Sequence, residues 1–293
     1  MAGILILTAI ISVITSPVSA QPKQAGWHRV SSPHFEISYE PDWKLSGIAV
    51  EFERIHSRMR MDMAMFAPWM FTGKVKIYVY SRADSYFAGE FHPPLWSKGI
   101  AFFKERVIAL YNPGQKEKLA DLVTHELSHL FFESFYGENA KNLPVWLNEG
   151  VAVLMEDSNS ASSGNGSWNY ALEYVPYERM FTFESFFPLE PKNVPSDKVA
   201  DWYLQAYGIV KFLYRGHSKV QFHNFCRLLR DGKSLNKALW EVYRFYDVGV
   251  FEAKWLDWLR GSRRNSKIRG PMREPFRNLR GSTLTFRSWF ENH

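Results

Sequence analysis

The feature that most constrains this chain is His125-Glu126-Leu127-Ser128-His129. On an α-helix, residues four apart share a face about one turn from each other. His125 and His129 can then aim both imidazoles at one point. Glu126 lies about 100° round the helix from His125, off the ligand face yet within reach of a reactive water. Two nitrogen ligands beside one carboxylate base is the arrangement of a zinc hydrolase. A third protein ligand is required, and Glu149 in Asn148-Glu149-Gly150 is the best candidate. Two helices distant in sequence must therefore meet at a common point.

The flanking residues support a buried helix over 115–136. Leu119, Leu122, Val123, Leu130 and Phe131 make an apolar stripe at helical spacing. Asn112-Pro113 supplies an N-cap and a first-turn proline, and Gly137 a stop. A second helix is predicted from Pro144 to Glu156. Trp146, Leu147 and Met155 pack it, and Gly150 admits close approach of the first helix. The Ser/Gly/Asn-rich stretch Ser158 to Ser167 reads as a mobile loop at the rim of the cleft.

With Trp146-Leu147-x-Glu149-Gly150-x-Ala152 following the first motif, the sequence resembles the gluzincin metallopeptidases. Within them it is most similar to the bacterial peptidase MA-like family. The 19 residues between His129 and Glu149 match the thermolysin-type spacing. The resemblance extends more weakly over residues 27 to about 260. It implies a zincin-like α+β fold, a peptide or protein substrate, His125, His129 and Glu149 as Zn²⁺ ligands, and Glu126 as general base. It also implies that one strand beside the first helix holds the substrate backbone by strand addition; an ordinary edge strand is the alternative. Gluzincins often place a Tyr or His from the second lobe as a further oxyanion donor. Tyr203 and Tyr207, one turn apart, are the candidates, with Tyr207 slightly preferred and His217 and His223 behind them. Both tyrosines also read as core aromatics. The G-x-M-E-N signature of gluzincin aminopeptidases is absent, which favours an endopeptidase.

The rest of the chain reads as a mixed sheet followed by helices. His28 to Tyr39 alternates as a strand, 43–65 has helical apolar spacing, and Lys74 to Tyr80 alternates again. This is a β-α-β start. Gly99 to Phe103 and Arg106 to Tyr111, joined by Lys104-Glu105, predict a hairpin leading into the metal-binding helix. Helices are predicted at about 199–215, 219–231, 234–245 and 248–260. The organisation expected is a signal peptide at 1–20, a sheet-bearing lobe at 27–157 carrying both active-site helices, a helical lobe at 158–260 and a basic flexible tail at 261–293. The cleft lies at the lobe boundary.

Ile4 to Ile14 is a short apolar run, and Val18-Ser19-Ala20 a small-residue cleavage site. They predict export to the periplasm or the medium; an N-terminal membrane anchor is the lesser alternative. The single cysteine, Cys226, allows no internal disulfide and reads as a buried apolar residue. The net charge of +6 is concentrated at one end: Arg260 to Arg287 holds nine basic residues and one acidic, +8, and the remainder is −2. A tail of that charge suits weak contact with an anionic envelope or membrane surface, with a merely solvated tail as the alternative. Nucleic acid is not expected as a partner of an exported chain.

Around the metal, Asp121, one turn before His125, is a candidate partner for its second ring nitrogen, and Asn148 for orienting Glu149. Ordinary surface or cap roles are the alternative for each. Glu133 reads as solvated. His28, His34, His56, His92 and His293 have no partner at ligand spacing. Two other functions compete with a zinc peptidase: a catalytically silent envelope-binding protein of the same fold, and a zinc hydrolase of non-peptide bonds.

Overall fold

Strand alternation runs unbroken from His28 to Tyr39, but the backbone does not. The computed structural model places two strands there, β1 (His28–Ser31) and β2 (Phe35–Tyr39), antiparallel with His28 opposite Tyr39. Pro33 has no N–H for the ladder, and Ser32 N–H closes the turn onto the Phe35 carbonyl at 2.9 Å. One predicted strand is thus a hairpin. The structure describes residues 26–42, 47–95, 97–162 and 168–268. The predicted signal segment, 1–20, lies outside them.

Helix α1 (Ile48–Met63) buries Ile48, Phe52, Ile55, Met59 and Met63. It carries the chain from β2 to β3 (Val75–Tyr80), which pairs parallel to β2. A short helix, α2 (Ala83–Phe87), leads to β4 (Gly99–Phe102) and β5 (Val107–Tyr111). These two form the predicted antiparallel hairpin, and β5 lies parallel to β3. The five-stranded mixed sheet has the order β1-β2-β3-β5-β4, so β4 is an edge.

Helix α3 (Lys116–Tyr136) packs beneath β4 and β5 and against α1. The predicted N-cap is corrected: Asn112 Oδ1 accepts the Gly114 N–H at 2.9 Å, making a local turn, and the helix starts three residues after Pro113. Gly137 does end it, at a φ of 54° that glycine tolerates best. Helix α4 (Val145–Ser162) begins at Pro144 and runs on through the serine-rich stretch expected to be a loop; 163–167 lie outside the described residues. Gly150 faces α7 (Val199–Arg215) rather than α3. A Cβ there would stand 2.5 Å from Val210 Cγ2 and 2.6 Å from the Ala206 carbonyl.

The remaining helices are α5 (Trp168–Tyr174), α6 (Phe183–Phe186), α8 (Lys219–Arg230), α9 (Leu235–Tyr243) and α10 (Val248–Ile268). The fold is α+β, with the sheet first and helices after it. One apolar core runs from the strands into the helical half and includes Trp146, Trp202 and Trp255, each at most 2% exposed. Burying a large apolar side chain contributes roughly 1.5–3 kcal/mol, and this continuous core fixes α3, α4 and α7 together. The start of the predicted flexible tail is helical: 261–268 extend α10, and Arg263 donates to the Leu172 and Val175 carbonyls at 3.1 and 2.6 Å. The tail from 269 onward lies outside the described residues.

Candidate metal centre

Helices α3 and α4 bring three donor atoms together. His125 Nε2 and His129 Nε2 stand 3.6 and 3.7 Å from the same oxygen, Glu149 Oε2. These separations are too long for hydrogen bonds. They approach the roughly 3.4 Å between neighbouring ligands of a tetrahedral ion bonded at about 2.0–2.1 Å. The imidazole planes cross at 78°, so their in-plane lone pairs can converge. Burial opposes a charge on His125, but Glu149 and Glu156 outweigh it and hold its pKa well above the ordinary value. Burial likewise opposes charge on Glu149, yet His129 and His125 keep its pKa below the usual one. The site favours positive charge between the rings and the carboxylate, and this donor set fits a divalent cation.

Glu126 is only 7% exposed, and burial lifts its carboxyl pKa, partly offset by His129 and His125. Its neighbour across the cleft is Gly99, the first residue of edge strand β4. A Cβ on Gly99 would come within 2.7 Å of Glu126 Oε1 and 2.8 Å of its Cγ and Cδ. The glycine therefore makes the space in which the carboxylate stands. The sequence signal was a glycine inside a strand, which often marks close approach of another group.

The partner of His125 is not Asp121. His125 Nδ1 pairs with Glu156 Oε2 at 3.1 Å, and Glu156 Oε1 accepts from Trp168 Nε1 at 3.3 Å. Asp121 instead accepts from Ser160 Oγ at 2.5 Å, and burial raises its pKa to about 6. Glu156 was legible in principle: it follows Glu149 by seven residues, two helical turns on the same face. Asn148 does not orient Glu149. It donates to Glu133 Oε1 at 2.9 Å. Glu133, expected to be solvated, is half-buried, and burial raises its pKa while the nearby His129 lowers it.

The two tyrosines have different settings. Tyr207, the preferred oxyanion donor, gives its hydroxyl to Asp157 Oδ2 at 2.7 Å and accepts from Lys211 Nζ at 2.9 Å. Asp157 also takes the Trp168 N–H at 3.2 Å, so this network ties α4, α5 and α7. Tyr203, one turn earlier, is 7% exposed. Burial raises its phenol pKa, followed by the fields of Glu149 and Glu126, whereas the Tyr207 hydroxyl is already engaged by Asp157 and Lys211. His217 is packed against Phe212 and Tyr243, and His223 against Phe66 and Phe135.

A second constellation was missed. His34, Glu53 and His56 also bring ligand-type atoms within 4.8 Å of one another, where the sequence reading gave His34 and His56 no partner.

A family model described as the Peptidase MA superfamily matches residues 66–261, a span that includes every residue of the first centre. No curated protein matches the chain.

Proposed function

Since the chain belongs to the Peptidase MA superfamily, we propose that it is a zinc-dependent, gluzincin-type endopeptidase acting on exported peptides or proteins. The observation that carries this reading is the convergence of His125 Nε2, His129 Nε2 and Glu149 Oε2, with Glu126 buried beside the edge strand. His125, His129 and Glu149 hold the ion. Zinc in such a setting supplies an activated water and a Lewis acid for the carbonyl.

The protein's own groups do the rest. Glu126 takes the proton of the attacking water and hands it to the leaving amine. Its raised pKa suits a group that must both accept and release a proton. Tyr203, kept protonated, donates to the developing oxyanion. Glu156 accepts from His125 Nδ1 and so presents Nε2 to the ion. The unpaired edge of β4 offers backbone groups to an extended peptide.

The test is zinc analysis together with a peptide-library digest of native protein and Glu126→Gln. Native protein holds about one zinc per chain and cleaves internal bonds; Glu126→Gln keeps the zinc and loses at least about 10³-fold in rate. Zinc without cleavage of any peptide would instead favour a silent binding protein or a hydrolase of other bonds.

A further inference from the structure

Four helix ends meet at one corner of the helical half. Lys219, at the start of α8, donates from Nζ to the Met61 carbonyl near the end of α1 at 2.8 Å. Asp62 ties the same two ends to α7, with Arg215 Nη2 at 2.9 Å and Lys219 Nζ at 2.6 Å from its carboxylate. The end of α9 completes the corner. The His217 ring, between α7 and α8, packs on Tyr243 with centroids 4.9 Å apart, and Gln221 Nε2 donates to the Val242 carbonyl at 3.5 Å.

These ends leave apolar side chains in water. Met61 is 76% exposed, and Met65, four residues on, and Val220, next to Lys219, are exposed as well. At the end of α9, Trp240 and Tyr246 stack with centroids 4.5 Å apart, Tyr246 at 73% exposure, and the Arg244 guanidinium stands 5.4 Å from the Trp240 ring. Single exposed apolar residues are ordinary; a group of them around one corner marks a contact surface. The charge beside them is mainly of one sign. Arg60, Arg215, Lys219 and Arg244 flank the apolar groups, while Asp62 is held as above and Asp247 accepts the Val250 N–H at 2.7 Å. Glu241 is matched by Lys237 at 3.9 Å. Trp and Tyr with cations alongside settle at the boundary between lipid headgroups and acyl chains, and an excess of Arg and Lys selects an anionic surface.

We propose that this corner is a membrane-docking face. It rests on an anionic phospholipid bilayer, with Met61, Val220, Trp240 and Tyr246 in the interface and the four cations on the headgroups. No helix of the described residues is long and apolar enough to cross a membrane; contact through side chains at helix ends lies at the surface and is reversible. Such docking depends neither on the peptidase activity nor on the basic segment beyond 268.

The experiment sediments the full chain with vesicles of phosphatidylcholine, alone or mixed equally with phosphatidylglycerol. The native protein partitions onto the anionic vesicles about tenfold or more better than onto the neutral ones. The basic residues of the chain end attract the same lipid, so the deciding variants remove no charge. Met61→Ser/Val220→Ser and Trp240→Ser/Tyr246→Ser each weaken partitioning about tenfold, with circular dichroism checking that the helices are intact. A polarity-sensitive dye supplies a second readout on folded protein; Cys226 is buried and stays unlabelled. Dye attached through Met61→Cys or Tyr246→Cys shifts to the blue on anionic vesicles. Dye attached through Val50→Cys, an exposed position about 16 Å back along α1, does not. Partitioning unchanged by both serine pairs, or dye at Met61 and Tyr246 that stays in water while the protein sediments, overturns the docking face and assigns the binding to the basic chain end. Failure to bind either vesicle overturns it too. So does lipid-free dimerisation that the serine pairs abolish, which makes the corner a contact between two copies of the chain.

Discussion

Two regions of this molecule contain two histidines and a glutamate within ligand distance of one another, and they are built for opposite ends. In His125, His129 and Glu149 the rings cross at 78° and the shared oxygen stands 3.6 and 3.7 Å from the two nitrogens. In His34, Glu53 and His56 the rings stack, with centroids 3.9 Å apart and planes 18° from parallel. Ligand lone pairs lie in the ring plane, so stacked rings cannot both point at one ion. Several of the donors are also engaged. Glu53 accepts from Ser32 Oγ, His34 N–H and His34 Nδ1 at 2.6, 2.8 and 2.7 Å, and His56 Nε2 pairs with the Met70 carbonyl at 3.0 Å. That cluster pins the β1-β2 turn to α1. Composition and proximity are shared by the two; orientation and unmet demand separate them.

The sharpest way to break this contrast is to count metal. Glu149→Gln removes an anionic ligand, and bound zinc falls from about one per chain to a small fraction by atomic absorption after dialysis. Glu53→Gln leaves the count unchanged. Two zinc ions per native chain, one of them lost in Glu53→Gln, would overturn the assignment of the second cluster as structural.

Next in size is Tyr203→Phe. Loss of one oxyanion donor lowers kcat by about 10²–10³, with zinc content and KM little changed. Tyr207 contrasts with it: its hydroxyl serves Asp157 and Lys211, so its removal is read first in thermal stability. Equal kcat losses for both, with stability intact, would return Tyr207 to the site.

How much of this could be read from the chain follows the same division. His125 and His129 share a face of α3 by helical periodicity, with Glu126 beside it, while Glu149, on another helix, was named through the resemblance its motif carries; helix α3 was bounded by its apolar stripe and Gly137. The late helices, from Val199 onward, were legible for the same reason. What periodicity could not supply was contact between elements. Pro33 split a strand whose alternation runs straight through it. Gly150 is explained by Ala206 and Val210 of α7, more than fifty residues away. Glu156 needed the antiparallel packing of α3 on α4, and the preference for Tyr207 over Tyr203 turned on which face of α7 meets α4. The Ser158 to Ser162 stretch looked like a loop by composition, yet Ser158 Oγ bonds back to Leu154 and Ser160 Oγ to Asp121, and both stay within α4.

A smaller effect tests the support beneath the centre. Glu156→Gln keeps an acceptor near His125 Nδ1 but loses the charge, so competition with a chelator should show zinc affinity weaker by about 10–100-fold. A matching change at the second cluster, whose Glu53 is already engaged by Ser32 and His34, is expected to move no zinc affinity.

The smallest effect belongs to the second cluster alone and concerns acid. Burial, then the nearby His34, lowers the His56 pKa from 6.5 to about 4. Folding therefore favours the neutral ring, and the unfolded chain binds more protons between those values. The sign follows: His56 costs no stability above pH 6.5, and stability is lost as pH falls from there toward 4, because the folded state resists a proton the unfolded state accepts. At pH 5.5 the loss from this residue is about 1.4 kcal/mol. Urea denaturation of the native protein and of His56→Phe at pH 7.5 and pH 5.5 isolates it. The native protein loses that much more than the variant on acidification, whatever their difference at pH 7.5. A pH dependence identical in both proteins would mean that His56 is open to water, and the contrast between a satisfied cluster and a demanding one would lose its structural half.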